Sequence, residues 1–140
     1  MILACNYEEA TALTFGARSV LDSQRGSGSP VAAPSEGLGA VEALLPQLSG
    51  DLAVYTIREQ RRVERAVRII VSHLRDEMHT AIRATHPAHE DAVAAYFDFA
   101  HALAFLNRVQ ELGEEMHALM EVITGEPPNA ETARTFRFPD

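Results

Sequence analysis

Histidine is unusually placed in this chain of 140 residues. Four of its six histidines stand three positions from a carboxylate. His73 precedes Asp76, and Asp98 precedes His101. Residues three apart on a helix share a face. If the two stretches lie on antiparallel helices joined near residue 86, all four side chains reach one level. Two imidazoles and two carboxylates suit Zn2+, Mn2+ or Fe2+. His73, Asp76, Asp98 and His101 are therefore the candidate metal ligands, with a divalent transition metal as the alternative cofactor. The competing reading makes them solvated or mutually hydrogen-bonded groups beside a helical seam, and no cofactor is then expected.

A second pairing is Asp76-x-x-His79 with Glu114-x-x-His117. Each half resembles the carboxylate-x-x-His element of ferritin-like di-iron proteins, in which two such elements meet in a bundle core. The likeness covers these eight residues only. Within one chain the two halves fall roughly 33 Å apart along the helices, so they could meet only between chains. The stretch His86-Pro87-Ala88-His89-Glu90-Asp91 reads as helix-end chemistry, with Glu90 and Asp91 complementing a helix N-terminus.

Other catalytic patterns are missing. No Gly-x-Ser-x-Gly, phosphate loop or dinucleotide fingerprint occurs. The chain has no Lys, which excludes a lysine nucleophile or Schiff base. Its lone cysteine, Cys5, excludes an internal disulfide and reads as a small buried strand residue. Arg58, Arg61, Arg62, Arg65 and Arg68 form a cationic stretch. Glu59 and Glu64 interrupt it and no aromatic residue interleaves, so it reads as a solvated face. With twelve cations against twenty acids the net charge is −8, which argues against nucleic acid as a partner.

The elements that must position these residues follow from caps and periodicity. Ile2 to Cys5 and Leu52 to Tyr55 are short apolar runs. Each is followed by a capping box, Asn6 to Glu9 and Thr56 to Glu59, in which an N-cap side chain and a glutamate satisfy backbone donors at a helix start. A first helix is expected from Tyr7 to Leu21, with Ala10, Leu13, Ala17 and Leu21 on one face. Residues 23–37 are rich in Gly, Ser and Pro and read as a flexible loop. A short helix follows at Leu38 to Leu45. A long helix from Ile57 to about Ala84 carries Val63, Val67, Ile70, Leu74, Met78 and Ala81 at three-four spacing. His86-Pro87 breaks it. A third helix then runs to about Thr124, with Gly113 as its expected weak point. The short connection makes the long helices antiparallel neighbours. That register levels Arg58 and Arg61 with Glu114 and Glu111, and Glu64 with Arg108.

The fold class is thus mainly α: a long antiparallel helical hairpin plus an N-terminal helix forming a bundle, with a minor two- or three-stranded β element. One domain is expected over 1–140, divided into strand and helix (1–22), loop (23–37), short helix and strand (38–56), hairpin (57–125) and extended tail (126–140). No run of 18 apolar residues occurs and no leader is evident, so the expected location is cytoplasmic, without a membrane partner. The third helix is apolar nearly all round, more than one partner helix can cover. A homodimer is expected to cover the rest. Phe99, Phe105, Phe136 and Phe138 are the candidate partner-binding residues, and another protein is a further candidate partner. In the tail, Phe136 and Phe138 alternate with Arg, as in a third strand or a docking peptide. The leading functional expectation is a non-enzymatic, dimeric helical module for protein interaction or structure. The alternative is a metal-binding helical bundle, an oxidoreductase or hydrolase, using the paired His and Asp.

Overall fold

The computed structural model describes residues 1–26, 36–84 and 89–124. Two short strands, β1 (Ile2–Leu3) and β2 (Leu52–Ala53), pair antiparallel, with Ile2 opposite Ala53 and Leu3 opposite Leu52. The amide of Val54 donates to the Met1 carbonyl at 2.8 Å and extends the ribbon. Each strand leads straight into a helix, α1 (Tyr7–Gly26) and α3 (Ile57–Arg83). Between them lie α2 (Glu36–Leu44) and a 3-10 turn over Leu45–Gln47. The chain returns along α4 (His89–Thr124).

Both capping boxes form. The Glu9 amide donates to Asn6 Oδ1 at 2.8 Å, and the Asn6 amide donates to Glu9 Oε1 at 2.9 Å. At α3 the Glu59 amide donates to Thr56 Oγ1 at 3.0 Å. The Glu59 carboxylate reaches one residue further back than expected and accepts from the Tyr55 amide at 2.9 Å. Helix α1 continues past its expected end at Leu21, because no breaker intervenes before Gly26.

Helices α1 and α3 run parallel, and α4 runs antiparallel to both. Their apolar stripes meet in one core with α2: Leu13 and Ala17 from α1, Val41 from α2, Ile70 and Leu74 from α3, and Phe105, Val109 and Met116 from α4. Such burial, at about 25 cal/mol per Å2, is the main drive for closure. Close approach is bought with glycine at two points. A Cβ on Gly16 would lie 2.6 Å from Ile70 Cγ2, where α1 crosses α3. A Cβ on Gly113 would lie 2.5 Å from Gln60 Nε2. Gly113 is therefore no weak point: α4 passes through it unbroken, and the missing side chain admits Gln60. That buried amide donates to the Val109 carbonyl at 2.9 Å and to Glu64 at 3.1 Å, tying the hairpin together.

Gln60 against Val109 and Gly113 keeps the expected register, but among the described residues no ion pair joins Arg58 to Glu114, Arg61 to Glu111 or Glu64 to Arg108. Glu64 is engaged by Arg68 at 2.9 Å on its own helix, while Arg108 turns to Glu9 on α1. Among the described residues, no helix is long and apolar enough to cross a membrane. The third-strand reading of the tail, with Phe136 and Phe138, falls outside the described residues, as do most of the 23–37 loop and residues 85–88 of the helix junction.

Candidate functional site

Two polar foci interrupt the apolar bundle. The first sits where α1 starts. Glu9 is 2% exposed, buried by α4 and by its own cap. Its Oε1 accepts from the Asn6 amide and from Arg108 Nη2, which also donates to the Ala4 carbonyl at 2.9 Å. The guanidinium lies over the Phe105 ring, 5.6 Å from its centroid. Its Nε is buried and finds no hydrogen-bond partner among the described residues. Burial is the largest influence on Glu9 and favours the protonated form. The Arg108 hydrogen bond, the Asn6 amide, the guanidinium charge and His101 outweigh it, holding the carboxyl below its ordinary 4.5. Beside it, Cys5 is pushed the other way, to about 11, by burial and then by Glu9, with Asp51 adding and Arg108 opposing. A thiol held that high stays protonated near neutral pH and is a poor nucleophile.

The second focus joins α1 to α3. Ser19 on α1 meets His73 and Glu77 on α3. Ser19 Oγ lies 2.7 Å from His73 Nε2 and donates to Glu77 Oε1 at 2.9 Å, and Nε2 is itself 2.9 Å from that oxygen. The hydroxyl has one proton and gives it to Glu77, so the proton between Ser19 and His73 belongs to Nε2. Asp98 on α4 lies within electrostatic reach of Glu77. Its carboxyl is raised by burial, with Glu77 adding to the rise and His101 opposing it.

This geometry decides between chemical roles. In a serine nucleophile the imidazole nitrogen accepts the hydroxyl proton while a carboxylate holds the other ring nitrogen. Here one nitrogen, Nε2, faces both serine and carboxylate. Ser19 also sits inside a helix, where backbone amides are spent on the helix itself and none is free to stabilise an oxyanion. The triangle is a latch between α1 and α3. Replacing Ser19 by Ala leaves the His73–Glu77 pair intact and is expected to cost about 1 kcal/mol, read as a fall of about 4 °C in Tm.

The sequence-derived ligands separate. His73, Asp98 and His101 are half-buried, with His73 in this focus and His101 acting on both Asp98 and Glu9, but Asp76 points outward, 72% exposed at its side chain, with its carboxylate 3.8 Å from Arg75 Nε. The acid that turns inward is Glu77, one position on. A four-residue step brings it back under His73, where a three-residue step leaves Asp76 on the outer flank. Among the described residues no three His, Cys, Asp or Glu side chains are grouped so as to hold a metal ion.

A solvent-open groove of about 830 Å3 runs along the outer side of α1. Tyr7, Phe15, Arg18 and Ser19 line one wall, and Ser49 and Gly50 stand opposite. Ser19 was not singled out by sequence, since a lone helical serine carries no motif. Its place beside the Gly16–Ala17–Val20 packing face is the signal that could have found it.

No protein-family model, curated protein or solved structure matches this chain.

The candidate partner-binding residues also divide. Phe105 is fully enclosed in the core, so it is a packing residue and offers no contact to a partner. Phe99 is half-buried and packs against the same core. Phe136 and Phe138 lie outside the described residues. The aromatic residues that α4 does present are Tyr96 and Phe97, each 54% exposed and in edge contact at 5.8 Å.

Proposed function

We propose that this chain is a non-enzymatic helical interaction module that works as a dimer through the outward face of α4. The observation that carries this reading is the concentration of large apolar side chains on one helix whose inner face is already satisfied. Val93, Tyr96 and Phe97 are exposed on α4, as are Leu119, Val122 and Ile123 nearer its end. Scattered surface apolar residues are ordinary, but a row on one helix face marks a contact surface. The polar foci support the reading from the other side. Arg108 joins Glu9 to α4, and Ser19 joins His73 and Glu77, so both serve to hold helices together.

The test is solution mass. At micromolar concentration the protein is expected at twice its 15.3 kDa chain mass. Replacing the exposed Phe97 by Glu is expected to halve that mass while leaving the helical circular dichroism unchanged. A wild-type protein of single-chain mass sinks the proposal.

A further inference from the structure

Helix α4 carries a row of outward positions at alternating steps of three and four, the spacing of helices that pair along their length. The row has an internal symmetry. Reflected about a point between Asn107 and Arg108, Val93 falls on Val122, Tyr96 on Leu119 and Phe97 on Ala118. Each of these side chains is at least partly exposed, and apart from Ala118 each is large and apolar. The same reflection sets Ala104 against Glu111 and Ala100 against Glu115. A two-fold antiparallel contact sets residue i against j wherever j meets i, so these are the pairs it would bring together: apolar on apolar and small on charged.

We propose that this row pairs with the same row of a second copy, antiparallel, about a two-fold axis beside Asn107 and Arg108. The inference rests on the dimeric reading above and names the partner and its direction. Charge selects the antiparallel sense. Glu111, Glu114 and Glu115 crowd one half of the row, all exposed. A parallel pair would stack the two acidic clusters on each other. The antiparallel pair sets each cluster beside Ala100 and Ala104 of the other copy, where small side chains leave the carboxylates in water. Shape agrees, since the Phe97 ring of one copy meets Ala118 of the other. The row from Val93 to Val122 spans about 44 Å at 1.5 Å per residue. A strip of that length and one helix width buries roughly 1,000 Å2 over both copies, the lower bound for a specific contact.

Single cysteines in the full chain test the pairing, since a disulfide needs its two Cα atoms within about 7 Å. Asn107→Cys is expected to link to itself on mild oxidation. Val93→Cys and Val122→Cys should each fail alone, because their copies lie some 43 Å apart across the axis, and should link when mixed. Native Cys5 is buried and stays outside the reaction. Self-linking of Val93→Cys and of Val122→Cys would mean parallel pairing and overturn the inference. A dimer that Phe97→Glu splits but that gives none of these links pairs on this face in another register, which overturns this inference and leaves the dimeric reading standing; a dimer that Phe97→Glu does not split uses another face and ends both. A single-chain mass, including one produced by residues 125–140 covering α4, ends both.

Discussion

Replacing Glu9 by Ala is expected to lower stability by about 3 kcal/mol, near 10 °C in Tm. The size follows from what is left behind. Arg108 would keep its charge, its buried Nε and a single carbonyl partner, Ala4, with no counter-charge at its Nη2. Removing one member of a buried ion pair is costly for that reason, more than the net worth of the pair itself. The guanidinium is 36% exposed at its side chain, so water recovers part of the loss and the lower end of the usual range applies. Half of the cap is lost as well, since the Asn6 amide gives up its acceptor while the backbone amide at position 9 still donates to Asn6 Oδ1.

The pH dependence of this site has a definite sign. The folded-state carboxyl of Glu9 sits below its ordinary 4.5. Its contribution is therefore complete above that value and drains away as acid protonates it. Glu9→Gln keeps the shape and an acceptor for Asn6 but drops the charge. The gap between wild type and Glu9→Gln should be widest at neutral pH and narrow below about pH 4.5. Urea titrations at several pH values read it directly. A gap that stays constant through the acid range would mean that Glu9 works by shape alone.

The second large effect lies at Gly16. Even a methyl group there would press to 2.6 Å on Ile70 Cγ2 and 3.1 Å on Leu74 Cδ1. Both residues are fully enclosed and have nowhere to retreat. Alanine would recover about 1 kcal/mol of helix propensity and partly offset the overlap. Valine adds two further methyl groups on a β-branched side chain that helices disfavour, so Gly16→Val is expected to cost about 3 kcal/mol. Gly39 on α2 is the control. Nothing lies within 4 Å of its added Cβ, and Gly39→Ala should raise stability by up to about 1 kcal/mol. Equal melting temperatures for wild type and Gly16→Val would show that α1 does not depend on close contact with α3.

What sequence could reveal here was local. Asn6, Glu9, Thr56 and Glu59 announce their caps because each box closes within four residues, and β1, β2 and the starts of α1 and α3 follow from them. The sequence His86-Pro87 announces a helix break, and the described helices do end at Arg83 and begin again at His89. The apolar seam of α3 was legible since its other face is charged. Helix α4 was not, because it is apolar nearly all round and its periodicity cannot say which side faces in. Phe105 and Phe97 look alike in sequence, yet one is enclosed and the other half in water. The partner of Arg108 was also hidden. Helical register alone offers Glu64, but Glu64 has Arg68 within its own helix, and a third helix supplies an acid whose burial leaves it no alternative. At the second focus the step of one residue from Asp76 to Glu77 decides which carboxylate turns inward.

The Glu9–Arg108 contact also bears on how the protein comes into being. Its two ends lie 99 positions apart. A ribosome adding about 5–20 residues per second needs roughly 5–20 s to travel between them. During that interval Glu9 has emerged and its guanidinium does not yet exist. The early chain can form its ribbon with β2, and α1 can rest on α3, but the carboxylate at the head of α1 must wait in water. The N-terminal half is thus a provisional assembly, sealed only when α4 arrives. Nascent chains halted before Arg108 should remain open to protease at α1, and those halted well beyond it should not.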